Sequence, residues 1–225
     1  MVGAHEMNDA RSGVLAAVRE ALMDLNGRTR TPPPPTIFGE TDESKATLAQ
    51  HFATELQAVA GRAFIVRDRA ECGAALASYL LARNVRSVAV QSSPFAQDIA
   101  LQLDGFGVTS AVNLDRPELE RCDCALLEAR SLLADTGSAT VILDNSQDRV
   151  LPYLPRTCAI VAELDSLHAT FTPQALECIA DTASAGARGE ALIVTGPSRT
   201  ADIEKVLVLG AHGPEALAVF IVEQP

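Results

Sequence analysis

The sequence predicts an α/β fold with a mostly parallel sheet. Two observations carry this: short β-branched runs alternate with amphipathic helical stretches along most of the chain, and the 225 residues suit one large core better than two. The 48% apolar and 21% charged residues are globular composition, which excludes disorder of the whole chain.

From Ala10 to Leu25 the residues Val14, Leu15, Val18, Leu22 and Leu25 follow the spacing of one helical face. Asn26-Gly27 stops that helix, and Pro32 to Pro35 reads as a semi-rigid spacer. Residues 1–36 are therefore expected to form an arm. Its apolar stripe must pack on the main body or on another subunit, so a homo-oligomer stays open. Residues 37–225 are expected to form the α/β domain.

In that domain a helix over Ser44 to Ala60 precedes a strand over Ala63 to Val66 and a helix over Arg69 to Ala82. A strand at Val88 to Val90, a helix at Phe95 to Leu103 and a strand at Val108 to Val112 continue the alternation. Cys124 to Leu133 and Thr140 to Leu143 read as strands around Asp135-Thr136-Gly137-Ser138, a group of turn formers. A polar loop spans Asp144 to Arg149. Cys158 to Ala162 is a strand, Thr172 to Ile179 a helix opened by Thr172-Pro173, and Ala191 to Thr195 a buried strand. Val206 to Leu209 and Leu217 to Val222 are the last strands.

The net charge of −11 repels polyanions and argues against nucleic acid as the main partner. Local basic sites survive that argument. The longest apolar runs, such as Ala216 to Val222, are far short of the ~20 residues that span a bilayer, and no export signal is visible, so a cytoplasmic protein is expected. The five cysteines, Cys72, Cys122, Cys124, Cys158 and Cys178, are then reduced thiols, without a second ligand pair near Cys122 and Cys124 for a metal.

Three stretches are candidates for chemistry. Leu192-Ile193-Val194-Thr195 runs into Gly196-Pro197-Ser198-Arg199-Thr200-Ala201-Asp202-Ile203-Glu204. Read as a parallel strand whose carboxyl end opens through a small-residue loop onto a helix, it would aim backbone N–H groups at an anion. Ser198 and Thr200 add hydroxyls, and Arg199 adds a planar fork for carboxylate or phosphate. The plainer alternative is that Ser198 or Thr200 caps the helix, with Arg199 solvated or paired to Asp202. The stretch lacks the glycine-lysine ending of a Walker loop and is no dinucleotide fingerprint, so no cofactor is assigned.

His212, in Gly210-Ala211-His212-Gly213-Pro214, is either a proton carrier at a pocket or a turn histidine bonded to backbone. Thr136, Gly137 and Ser138 offer hydroxyls and amides to a ligand, with Asp135 as a potential base, and a plain turn explains them equally well. Arg149 and Arg156 read as surface arginines more readily than as anion ligands.

Taken together, Leu133-Ala134-Asp135-Thr136-Gly137-Ser138, Arg149 with Leu154-Pro155, the stretch from Gly196 to Glu204, and Leu209-Gly210-Ala211-His212-Gly213-Pro214 resemble the LUD-domain family. They are most similar to its lactate-utilisation protein C type. The resemblance implies a three-layer α/β fold like that of the sugar-phosphate isomerases, glucosamine-phosphate deaminases and coenzyme A transferases. It also implies a role in oxidising L-lactate to pyruvate beside two iron–sulfur partner proteins, which would carry the electrons.

The site expected on this basis gathers Thr136, Gly137, Ser138, Gly196, Ser198, Arg199, Thr200, Asp202, Glu204 and His212 around a small anionic ligand. His212 or Glu204 is the group that moves a proton if chemistry occurs there, and no catalytic residue or metal ligand is assigned. Ser138 stands where the family more often has threonine, and Leu127 and Glu128 replace a stretch usually smaller and richer in Thr and Gly, which alters the pocket beside that strand. Two rivals remain: a non-catalytic assembly or regulatory subunit, and an isomerase or transferase suggested by fold analogy alone.

Overall fold

The structure, a computed structural model, describes residues 12–20, 43–172, 175, 190–200, 208–210 and 212–224. The chain divides into two compact units, Met1–Gly39 and Glu40–Pro225. In the first, residues 12–20 form a helix, α1. The proline spacer lies outside the described residues.

The second unit opens with α2 (Lys45–Ala58), whose first turn is capped by the Ser44 hydroxyl accepting from the Thr47 N–H. Its residues Leu48, Ala49, Phe52 and Leu56 recur at helical spacing and are buried. Strand β1 (Arg62–Asp68) follows, and its last residue caps α3 (Arg69–Leu81). Then come β2 (Ser87–Val90), α4 (Pro94–Ala100) capped by Ser93, β3 (Thr109–Val112) and α5 (Arg116–Leu119), where Asp115 and Glu118 form a reciprocal capping box. The remaining strands are β4 (Cys124–Leu133), β5 (Ser138–Leu143), β6 (Thr157–Glu163), β7 (Leu167–His168), β8 (Glu190–Val194), β9 (Arg199–Thr200), β10 (Val208–Leu209) and β11 (Ala216–Gln224).

Six strands form a parallel sheet in the order β1-β11-β6-β4-β2-β3. Alternate residues serve opposite faces, as a strand's twofold period requires. Cys124 and Leu126 of β4, with Ala218, Phe220 and Val222 of β11, pack against α3 and α4. Ala125 and Leu127, with Leu217, Val219 and Ile221, pack against α2 on the other face. The chain moves one way across the sheet through β1, β2 and β3, then returns through β4, β6 and β11. The right-handedness of parallel crossovers therefore puts α3 and α4 on one face and α5 on the other, where Leu119 joins the α2 cluster.

A register shift between Ala129 and Ser131 lets β4 serve a second, mixed sheet. There β5 pairs antiparallel with both β4 and β8, and β7 pairs parallel with the end of β4. This sheet lies on the α2 face, where Leu132, Ala139, Val141 and Leu143 share a cluster with Phe52 and Leu56.

Two expectations fail here. The strand at Ala191 to Thr195 was to be a buried parallel strand, but β8 is antiparallel to β5 and pairs on one side only among the described residues, leaving Ile193 45% exposed. Arg199-Thr200 was to enter a helix, but it forms a ladder with Val208-Leu209. The helix expected over Thr172 to Ile179 lies outside the described residues except for Thr172 and Ala175.

Candidate functional site

The bend after β4 is held by a chain of hydroxyls. The Thr170 hydroxyl donates to Asp135 Oδ2 at 2.6 Å, and that of Thr136 donates to Asp135 Oδ1 at 3.2 Å. Ser138 Oγ donates to Thr136 Oγ1 at 2.8 Å and lies 2.7 Å from Thr195 Oγ1, at the exit of β8. Gly137 has a φ of +62° and presses on the backbone of Leu56, where any Cβ would collide. The bend is thus seated on the last turns of α2.

Gly196, at φ +103°, makes the same kind of approach to Val59 just beyond α2. Two residues on, the Ser198 N–H donates to the Pro214 carbonyl at 2.9 Å, and the Ser198 carbonyl accepts from Gly210 N–H at 3.0 Å. Gly213 packs on the Ser198 side chain, with space for a Cβ only 3.3 Å from it. Sequence-distant candidates therefore meet in two linked groups: Thr136, Gly137 and Ser138 with Thr195 and Gly196, and Ser198 with the turn that carries His212.

Their location corrects the expectation of a site at the carboxyl ends of the parallel strands. The Lys45 ammonium donates to the carbonyls of Asp165 and Leu167 just after β6, so α2 begins at the carboxyl edge and ends where β1 begins, at the amino edge. The Glu215 N–H donates to the Arg156 carbonyl at 2.8 Å, immediately before β11 and β6. The bend, loop and turn all sit at this amino edge, because the shift in β4 turns the second sheet back over the α2 face.

Arg199 and His212 are exposed, and no described carboxylate lies within ion-pair distance of Arg199. The helix N-terminus expected after Gly196 is replaced at Arg199-Thr200 by the β9–β10 ribbon, so helix-end amides do not form an anion cradle at these two residues. Asp202 and Glu204 lie outside the described residues, as does any pairing of Arg199 with Asp202. Arg149 has a buried Nε without a hydrogen-bond partner among the described residues, whereas exposed Arg156 lies 3.7 Å from Glu215.

Sequence reasoning missed a polar network at the carboxyl edge, where β2 leaves toward one face and β4 toward the other. Asp148 is buried there and accepts from the Ser92 N–H and hydroxyl and, at 2.8 Å, from Asn145 Nδ2. Burial pushes its carboxyl up from the ordinary range, against the hydrogen bonds from Ser92 and Asn145. Gln91 donates to the Ile142 carbonyl at 2.6 Å and accepts from the Glu128 N–H, while Glu128 pairs with Arg130 at 3.3 Å. A gap of about 10 Å3 beside Asp148 is at most one water in size, so this crevice is filled rather than open. The available signal was Asn145 and Asp148 three residues apart in a polar loop, joined to Ser92 directly after a buried strand.

Fold and geometry define a class: an α/β protein with a parallel sheet, a second sheet on one face, and a hydroxyl-rich loop cluster at the amino edge. The LUD domain profile matches residues 49–222, and the chain belongs to the LUD domain family. It is 34% identical over 112 residues to lactate utilization protein C of Geobacillus thermodenitrificans, covering 49% of this chain and 45% of that relative. It is also 34% identical over 113 residues to lactate utilization protein C of Deinococcus radiodurans, covering 48% and 50%. The chain spans about half the length of the curated relatives it matches. A crystal structure of a DUF162 family protein from Deinococcus radiodurans shares the fold, with a TM-score of 0.56 and 24% identity over 80% of this chain and 99% of that one. No helix among the described residues is long and apolar enough to cross a membrane, and no group of three or more His, Cys, Asp or Glu among them has metal-binding geometry.

Proposed function

We propose that this chain is a component of L-lactate utilisation, acting in the cytosol beside iron–sulfur proteins during oxidation of lactate to pyruvate. The supporting observation is the family match over residues 49–222 together with curated relatives named lactate utilization protein C. Oxidation of lactate releases an electron pair and protons. The electrons are assigned to the iron–sulfur partners, and this chain is assigned the holding of a small carboxylate at the amino-edge loops.

In that role Arg199 meets the carboxylate, while the Ser198 and Thr200 hydroxyls orient it beside Gly196. Thr136, Gly137 and Ser138 form the opposite wall, Asp202 completes the loop side, and His212 or Glu204 supplies the proton-moving group. The finer likeness to the isomerase, deaminase and coenzyme A transferase architecture belongs to the same proposal, as does the division into an arm over 1–36 and a LUD domain over 37–225. So does a homo-oligomer joined through the arm.

Reconstitution tests the reading. Lactate-dependent reduction of an artificial acceptor by the iron–sulfur proteins is expected to require this chain and to fall at least tenfold with Arg199→Ala. Equal rates with and without the chain contradict it. Full activity with Arg199→Ala retains the chain as a non-catalytic subunit and removes the proposed ligand site.

A further inference from the structure

A cavity of about 670 Å3 opens at the amino ends of the parallel strands, within the size range of small-molecule sites. It is bounded by the end of α3, the end of α5 and the segments that lead into β6 and β11, and three arginines from separate parts of the chain line it: Arg83, Arg121 and Arg156. In a chain of net charge −11, such a gathering needs an explanation.

The acids lining the same cavity are already engaged. Asp123 Oδ2 accepts from the Arg86 and Ser87 N–H groups and from the Ser87 hydroxyl. Glu120 is paired with Arg116 at 3.0 Å. Glu215 faces Arg156 at 3.7 Å, too long for a tight charge-assisted hydrogen bond.

No described carboxylate lies within ion-pair distance of Arg83 or Arg121. Arg121 spends its Nε on the Pro117 carbonyl, which leaves its terminal nitrogens for another acceptor. The guanidinium of Arg83 stands over the Tyr79 ring at 5.4 Å, a contact that fixes the side chain and leaves its edge donors free. Arg83 stands in the turn after α3, where Asn84 takes a left-handed φ of +60° and its N–H donates to the Leu81 carbonyl at 3.0 Å.

We propose that this cleft is a binding site for a small oligoanion, a compound with two or more phosphate or carboxylate groups bridged by Arg83, Arg121 and Arg156. The three forks are planar donors suited to such groups, and a ligand with one charge engages too few of them. The site is separate from the Arg199 loop and does not depend on the function proposed for it. Glu215 acts as a gate: it occupies Arg156 until a stronger anion displaces it.

Calorimetric titration of the full chain with pyrophosphate and with citrate, at constant ionic strength and with lactate as the singly charged control, tests this. Saturable binding of pyrophosphate or citrate is expected, at least tenfold weaker in Arg83→Gln/Arg121→Gln, whereas any binding of lactate is expected to be unchanged in that double variant. All three arginines are exposed, so the variants are expected to keep the native melting temperature. Glu215→Gln frees Arg156 and is expected to tighten binding severalfold, an outcome a merely structural arginine cluster does not give. Phosphate and carboxylate ligands are told apart by which probe binds tighter. Absence of saturable binding by either probe, or unchanged affinity in the double variant, overturns the proposal. Loss of binding with Arg199→Ala alone also overturns it and moves the anion to the loop site.

Discussion

Ser138 Oγ lies 2.7 Å from Thr195 Oγ1, across 57 residues of chain, and this contact ties the bend after β4 to the exit of β8. Through it the Asp135-Thr136-Gly137-Ser138 bend and the loop that begins at Gly196 become one structural unit. Ser138 is buried, so its hydroxyl loses water on folding and needs its protein partners. Ser138→Ala is expected to cost about 1–2 kcal/mol, and the Ser138→Ala/Thr195→Val pair to cost less than the sum of its single variants in urea unfolding. Strict additivity shows that the two loops are not coupled.

Gly137→Ala combines two penalties. A side chain at φ +62° is strained, and its Cβ would enter the α2 backbone at Leu56, which cannot swing aside as a side-chain end can. A loss of about 2–4 kcal/mol is expected from these two causes, read as a lower unfolding midpoint. A midpoint within error of the native one shows that the bend does not sit on α2.

Two aspartates are expected to respond to acid in opposite directions. Burial tends to raise Asp123, but hydrogen bonds from Arg86 and Ser87 prevail and hold its carboxyl below the ordinary range. The unfolded chain then takes up the proton first, so the contribution of Asp123 is full above the unfolded value of about 3.9 and fades as pH falls through the folded one. The penalty of Asp123→Asn is expected to shrink on acidification.

Asp148 is raised by burial, so the folded state takes up the proton first, and stability falls as pH rises from about 3.9 through the higher folded value. The penalty of Asp148→Ala, about 1–3 kcal/mol because Ser92 and Asn145 lose a buried acceptor, is expected to grow on acidification. Melting temperatures from pH 3 to 7 check both signs.

Burial pushes the Cys72 and Cys158 thiols up to about 12, and that of Cys124 well above its usual value. Peptide mapping after brief alkylation of the native protein at pH 8 is expected to find these three unmodified. Half-buried Cys122 is expected to react faster than they do, and all four to react in denaturant. Native labelling of Cys158 at the rate of Cys122 contradicts the packing of β6.

What was legible follows the range of the interactions. Strand β4 is read to the residue, Cys124 to Leu133, because its burial is nearly continuous and Asp135-Thr136-Gly137 ends it locally. Hidden was the shift between Ala129 and Ser131, which moves the bend from the carboxyl to the amino edge and depends on pairing with β5 and β7. Ser198 to Asp202 has the local pattern of a helix cap, yet Arg199 and Thr200 take strand partners eight or more residues away at Val208 and Leu209. Pairing at that distance leaves no periodic trace in the nine residues from Gly196 to Glu204. Arg83 and Arg121 carried no signal because their shared cavity exists only once α3 and α5 end at the same edge of the sheet.

The most direct test of the proposed loop site is a calorimetric titration of L-lactate and pyruvate into the full chain and into its Arg199→Ala variant, whose fold is checked by circular dichroism. Saturable binding of one of these carboxylates by the native chain, weakened tenfold or more by the substitution, is the result expected. Equal affinity in the two proteins, or no saturable binding of either compound by the native chain, contradicts it.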